Sequence, residues 1–120
     1  MGEKSVASMA SDLHKMFKYL SNIDIPVIAR LVEMCRGRHI SFEDTLRMVV
    51  LRGCGFTQEE IARVFGVSRT SVSRRFTTID GWFRENPEVG VRLCCSLFSS
   101  EEFVKKTLED AAKILRTTEG

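Results

Sequence analysis

Apolar residues recur at helical spacing along nearly the whole chain, and no stretch carries a convincing strand signal. Val6, Met9, Leu13, Met16 and Leu20 follow at spacings of 3, 4, 3 and 4, an a/d seam too short for a free coiled coil. Such a seam packs either on the body of the chain or on a second copy. Asp24 is placed to cap the next helix, with Pro26 in its first turn and Ile28, Leu31, Val32 and Cys35 as its buried stripe. Arg36-Gly37-Arg38-His39 ends it as a basic turn. Ser41 opens a third helix, with Asp44 in its first turn and Phe42, Leu46, Val49 and Val50 on the core face. Gly53 and Gly55 close it.

A short helix, a tight turn and a second helix follow. Thr57 can cap the first, and Glu60 can cap back. Ile61, Ala62 and Phe65 share one face, and Ala62 is small enough to let the second helix cross closely. Gly66 sits where the turn needs a residue tolerant of positive φ. Val67 fills the elbow, and Ser68 is a good N-cap for the second helix. Val72, Phe76 and Ile79 recur at i, i+4 and i+7 and face the core, which leaves Arg69, Thr70, Ser73 and Arg74 outside. The helix is predicted to run to Ile79 and stop at Asp80-Gly81. A hairpin over Phe76–Phe83 is the alternative, since Asp-Gly favours a type I′ turn and would form a small wing. Phe83, however, keeps helical phase with Val72, Phe76 and Ile79.

Asn86-Pro87-Glu88 starts the next helix, with Val89, Leu93, Leu97 and potentially Cys94 inward. Ser99 or Ser100 caps the last, where Glu101 and Glu102 suit the N-terminal dipole. Val104, Leu108, Ala111, Ala112 and Leu115 form its stripe, and Thr117 to Gly120 should fray. The predicted fold is all-α, with seven helices built around a three-helix unit over residues 41–80. Residues 1–40 and 81–120 supply supporting or dimerisation helices.

The segment from Arg52 to about Ile79 resembles the helix-turn-helix of bacterial, phage and archaeal transcription regulators. That family asks for a small residue in the first helix, a glycine in the turn and a branched apolar residue in the second helix. Ala62, Gly66 and Val72 stand at those places, with Ile61, Phe65, Val67 and Phe76 at the flanking apolar positions. The resemblance implies that the second helix enters the DNA major groove. It implies base contacts from Arg69, Thr70, Ser73 and Arg74, and phosphate contacts from Thr57, Gln58, Ser68, Arg75 and Thr77. A plain helical hairpin with a solvated basic face is the competing reading. It would have no need for the small alanine, the glycine elbow and the serine cap together.

Composition adds three things. The 120 residues suit one domain, and at 43% hydrophobic the chain can bury about two thirds of its unfolded surface. The net charge of +2 is small, but its distribution is uneven. Residues 30–84 carry ten bases against six acids, and all ten are arginine, whereas all six lysines lie outside that segment. Arginine makes bidentate contacts to phosphate and guanine where lysine is a point charge. The four cysteines, Cys35, Cys54, Cys94 and Cys95, form no Cys-x-x-Cys pair, and His14 and His39 lack metal-ligand spacing to them. They read as small buried apolar residues, with a Cys35–Cys54 bridge as the alternative. No metal and no cofactor is implied.

The expected function is sequence-specific binding of double-stranded DNA by a small cytoplasmic, nucleoid-associated transcription regulator. The chain lacks a run long enough to span a membrane and the basic-then-apolar pattern of a signal peptide. An accessory subunit of a recombination, transposition or replication system is the alternative, as is a protein-interaction adaptor that leaves DNA alone. An enzyme is not expected: there is no glycine-rich phosphate loop or nucleophile motif, and Glu59-Glu60 point in different directions on a helix. A homodimer is expected, through either the Val6–Leu20 seam or the Val104–Leu115 stripe, unless both stripes merely cover the core.

Overall fold

The computed structural model describes residues 5–36 and 39–118. The chain forms α1 (Val6–Met16), a 3₁₀ turn at Asn22–Asp24, α2 (Ile25–Cys35), α3 (Phe42–Gly53), α4 (Gln58–Phe65), α5 (Arg69–Glu85), α6 (Pro87–Ser99) and α7 (Glu101–Thr118). All the regular structure among the described residues is helical. Gly37 and Arg38 of the expected basic turn, and Glu119 and Gly120 of the expected frayed end, lie outside the described residues.

The caps follow short-range chemistry. Ser5, Ser41, Thr57 and Ser68 each accept a backbone N–H three residues on, which satisfies one of the donors a helix leaves open. The core is formed by the predicted stripes of α2, α3 and α6, with Ile28, Leu31, Val32, Phe42, Leu46, Val49, Val50, Leu93 and Leu97 all buried. Met48, Leu51 and Thr45 of α3 are buried as well, because α3 is enclosed on more than one side, by α4, α6 and α7. α1 lies on α2, and α2 also touches α5. α7 lies across α3 and α4.

Several expectations change at helix ends. α1 stops at Met16, which is 67% exposed, while Phe17 turns to extended backbone and is buried edge-on against Phe103 of α7. A large aromatic finding a distant pocket outweighs one more helical turn. Asp24 does not cap α2 with its side chain. It is fully buried, accepts from Ser21 N–H and Oγ, and pairs with Arg92 of α6 at 2.7 Å. The guanidinium beside it holds its carboxyl below the ordinary range, against the opposing push of burial.

α5 runs straight through Asp80-Gly81 to Glu85, so neither the stop nor the wing forms. Tertiary contacts carry the helix onward: Trp82 is buried and donates its Nε1–H to the Val27 carbonyl at 3.2 Å. After Asn86, α6 folds back so closely that a Cβ on Gly90 would meet the Phe83 ring at 2.5 Å. In α7, Thr107 is buried where the stripe was read from Val104 to Leu115, and Ala112 is exposed. Thr117 is helical rather than frayed.

The cysteines split. Cys35 is buried and Cys94 half-buried, but Cys54 and Cys95 are exposed, and none is bridged. Cys54 caps α3 beyond the end of its buried stripe, so its thiol emerges from the core. Both stripes weighed for dimerisation pack in part within the chain. Val6, Met9 and Leu13 lie half-buried in the α1–α2 contact, and Val104, Leu108 and Ala111 face the core from α7.

Candidate nucleic-acid interface

Local rules set the geometry of residues 57–79. Thr57 and Glu60 make a reciprocal capping box, with Glu60 N–H to Thr57 Oγ1 at 3.1 Å and Thr57 N–H to a Glu60 carboxylate oxygen at 2.9 Å. Ile61 and Ala62 are buried, and Phe65 and Val67 are half-buried against the core. α4 ends on Gly66 at φ 65°, ψ 34°, the left-handed conformation that lacks strain only without a Cβ. Val67 N–H then returns to the Ala62 carbonyl at 3.0 Å. Ser68 Oγ accepts Ser71 N–H at 3.1 Å and starts α5.

From there the phase of the inner positions decides what faces outward. Val72, Phe76 and Ile79 are buried. Arg69, Thr70, Ser73, Arg74 and Thr77 are exposed on the opposite side, as are Ser68 and Thr57 beside them, and Gln58 is half-exposed. Arg69 has Glu59 at 3.9 Å, with both side chains more than two-thirds exposed, so the pair is worth about 0–1 kcal/mol and leaves the guanidinium available. Arg74 makes no ion pair among the described residues. The first acid in α5 is Asp80, and Arg52 holds it bidentately at 2.9 and 3.1 Å while stacking on Phe76 at 4.2 Å. The outward surface from Ser68 to Thr77 thus carries hydroxyls and guanidinium groups and no carboxylate.

Arg75 is the correction. It was expected near the phosphates on the outer surface, but it is 6% exposed. Its Nη1 donates to the Ile40 carbonyl at 2.9 Å and to Thr45 Oγ1. Thr45 Oγ1 in turn donates to the Ser41 carbonyl at 2.7 Å. The signal was in the sequence: Arg75 lies three residues after Val72 and four before Ile79, on the inner face. Sequence reasoning also missed Arg52 as the partner of Asp80, and the position of His39 and Ile40 beside α5, where they share a groove with Arg74 and Thr78.

No group of three or more histidine, cysteine, aspartate or glutamate side chains able to hold a metal occurs among the described residues. None of the helices described is long and apolar enough to cross a membrane. Comparison with protein-family models, with curated proteins and with solved structures gave no match in any of the three.

Proposed function

We propose that this chain is a sequence-specific double-stranded DNA-binding protein, a small transcription regulator that lays the first half of α5 in the major groove. The observation that carries the reading is the outward face of α5. Arg69, Thr70, Ser73 and Arg74 stand together there, exposed, on a helix whose start is fixed by Gly66 and Ser68. Guanidinium groups on such a helix match the acceptor pairs of guanine, and hydroxyls take either base or phosphate. Thr57, Gln58, Ser68 and Thr77 border this face and are assigned to phosphates. Burial removes Arg75 from the outward set.

A homodimer belongs to the proposal, because one helix reads too few base pairs to find a site among about 10⁶ or more competitors. The copies would meet through the outer part of the Val6–Leu20 seam, where Met16 is 67% exposed, or through that of the Val104–Leu115 stripe.

Selection from random duplexes, read by sequencing, tests the reading. It should return a two-fold consensus with half-sites about 34–36 Å apart, and affinity should fall steeply with salt as counterions are released. Arg69→Ala and Arg74→Ala should each cost about 1–3 kcal/mol and relax the preference at one position. Absence of both enrichment and salt-sensitive retention would sink the proposal. Light scattering with and without the selected duplex tests the assembly, and a monomeric mass in both would remove the dimer.

A further inference from the structure

A polar groove of about 610 Å³ runs beside α5, between that helix and the segment leading into α3. Its rims carry Arg74, Thr77 and Thr78 on the α5 side and His39 on the other, with Ser71 nearer the start of α5. Among the described residues that line it there is no carboxylate. Arg75 also lines the groove, although its side chain is almost wholly buried.

The state of that arginine makes the groove more than a surface dent. A guanidinium has five N–H donors and stays charged. Both hydrogen bonds of Arg75 leave from Nη1, toward two neutral oxygens, Ile40 O and Thr45 Oγ1. Nε and Nη2 make no hydrogen bond, and no carboxylate pairs with the group, among the described residues. Neither Nε nor Nη2 is fully enclosed, since Thr107 Oγ1 is the one wholly buried side-chain polar atom without a partner among the described residues, so the free edge keeps access to the groove, where an anion would supply the missing counter-charge. The free edge is an Nε/Nη2 pair, the fork that matches two oxygens of one phosphate. Arg74 and His39 at the rims add donors at the groove mouth.

We propose that this groove is a phosphate-binding site, with Arg75 as its floor and Arg74 and His39 as its rims. The same chemistry fits a free phosphate-bearing anion and a backbone phosphate of bound DNA. The first source is independent of the function proposed above, and the second rests on it.

The test reads the Nε–H resonance of Arg75 in the full, isotope-labelled wild-type chain, so no variant has to fold for the answer. One arm adds sodium phosphate against sodium chloride at matched ionic strength. The other adds a short random-sequence duplex at low salt, where phosphate contacts alone hold DNA. A saturable shift with phosphate and none with chloride supports the site and marks its occupant as a free anion. A shift with duplex alone supports the site and marks the occupant as a backbone phosphate. His39→Gln and Arg74→Gln should each weaken whichever response is seen by about two- to fivefold, the size of one exposed side-chain contact. A silent Arg75 in both arms overturns the proposal, and if the duplex nevertheless binds, the DNA reading survives it. A phosphate response with no duplex binding does the reverse.

Discussion

Two corners of this chain turn by different means. Between α4 and α5 the chain reverses over Gly66-Val67-Ser68, and every determinant lies within a few residues: a left-handed glycine, a return hydrogen bond to Ala62 and a serine cap. Between α1 and α2 it turns over residues 17–24, and beside the local Ser21–Asp24 cap its determinants come from far along the chain. Phe17 packs on Phe103, Tyr19 N–H donates to Ser96 Oγ at 3.1 Å, and Asp24 is held by Arg92, 68 positions away. The hydrogen bonds and the left-handed glycine of the first corner are set by neighbours in sequence. The second has a local cap between Ser21 and Asp24 but is completed by contacts to α6 and α7.

The largest way to break the contrast is Asp24→Asn. It leaves the Arg92 guanidinium without its charge partner and should cost about 1.5–3 kcal/mol, the range for hydrogen bonds to charged groups. The greater penalty of a fully buried pair does not apply, because Arg92 is 34% exposed. This corner should also be acid-sensitive. Asp24 has its folded pKa depressed below the ordinary 3.8. Its stabilisation is therefore complete above the unfolded value and lost as pH falls through the folded one. Urea midpoints from neutral to acid pH should show this loss in the wild type, and Asp24→Asn should flatten that part of the curve.

Gly66→Val attacks the local corner. A Cβ there would meet nothing within 4 Å, so the cost is conformational strain rather than crowding, about 1–3 kcal/mol. Calorimetry should show a melting temperature lowered from the wild type by an amount that does not vary with acid. An unchanged midpoint would mean the turn tolerates a β-branched residue and is not conformationally specified. Ser68→Ala removes only the cap and should cost about 1 kcal/mol. Arg52→Ala should cost the least, about 0.2–1 kcal/mol, since Arg52 and Asp80 are 38% and 44% exposed. The sharper effect of that last change is to free a carboxylate beside the outward face of α5, weakening any DNA binding more than folding.

The same contrast explains what could be read from the sequence. Caps at Ser41, Thr57 and Ser68 and the stripes of α2, α3 and α6 depend on spacings of three or four residues, and all were legible. So was the outward placement of Arg69, Thr70, Ser73 and Arg74, which is only the complement of Val72, Phe76 and Ile79. The end of α5 was not. Asp80-Gly81 is a local stop signal, overridden by Arg52 on one side and the Trp82–Val27 bond on the other. Arg75 differs for another reason: the resemblance implies a phosphate contact for it, whereas its helical phase, three residues after Val72 and four before Ile79, points inward. Cys54 shows the limit of extending a stripe by one more residue, because α3 ends at Gly53 and takes the thiol out of the core.

The placement of α7 has a consequence for how the chain comes into being. α3 and α4 form part of the proposed reading unit, yet both are covered by the last helix. During vectorial synthesis, at about 5–20 residues per second, residues 41–80 are made well before residues 103–111 exist to cover them. The nascent unit therefore waits with part of its apolar surface open until the final helix arrives. A chain cut after Ser99 keeps every residue assigned to base contact and should still fail to hold them in place.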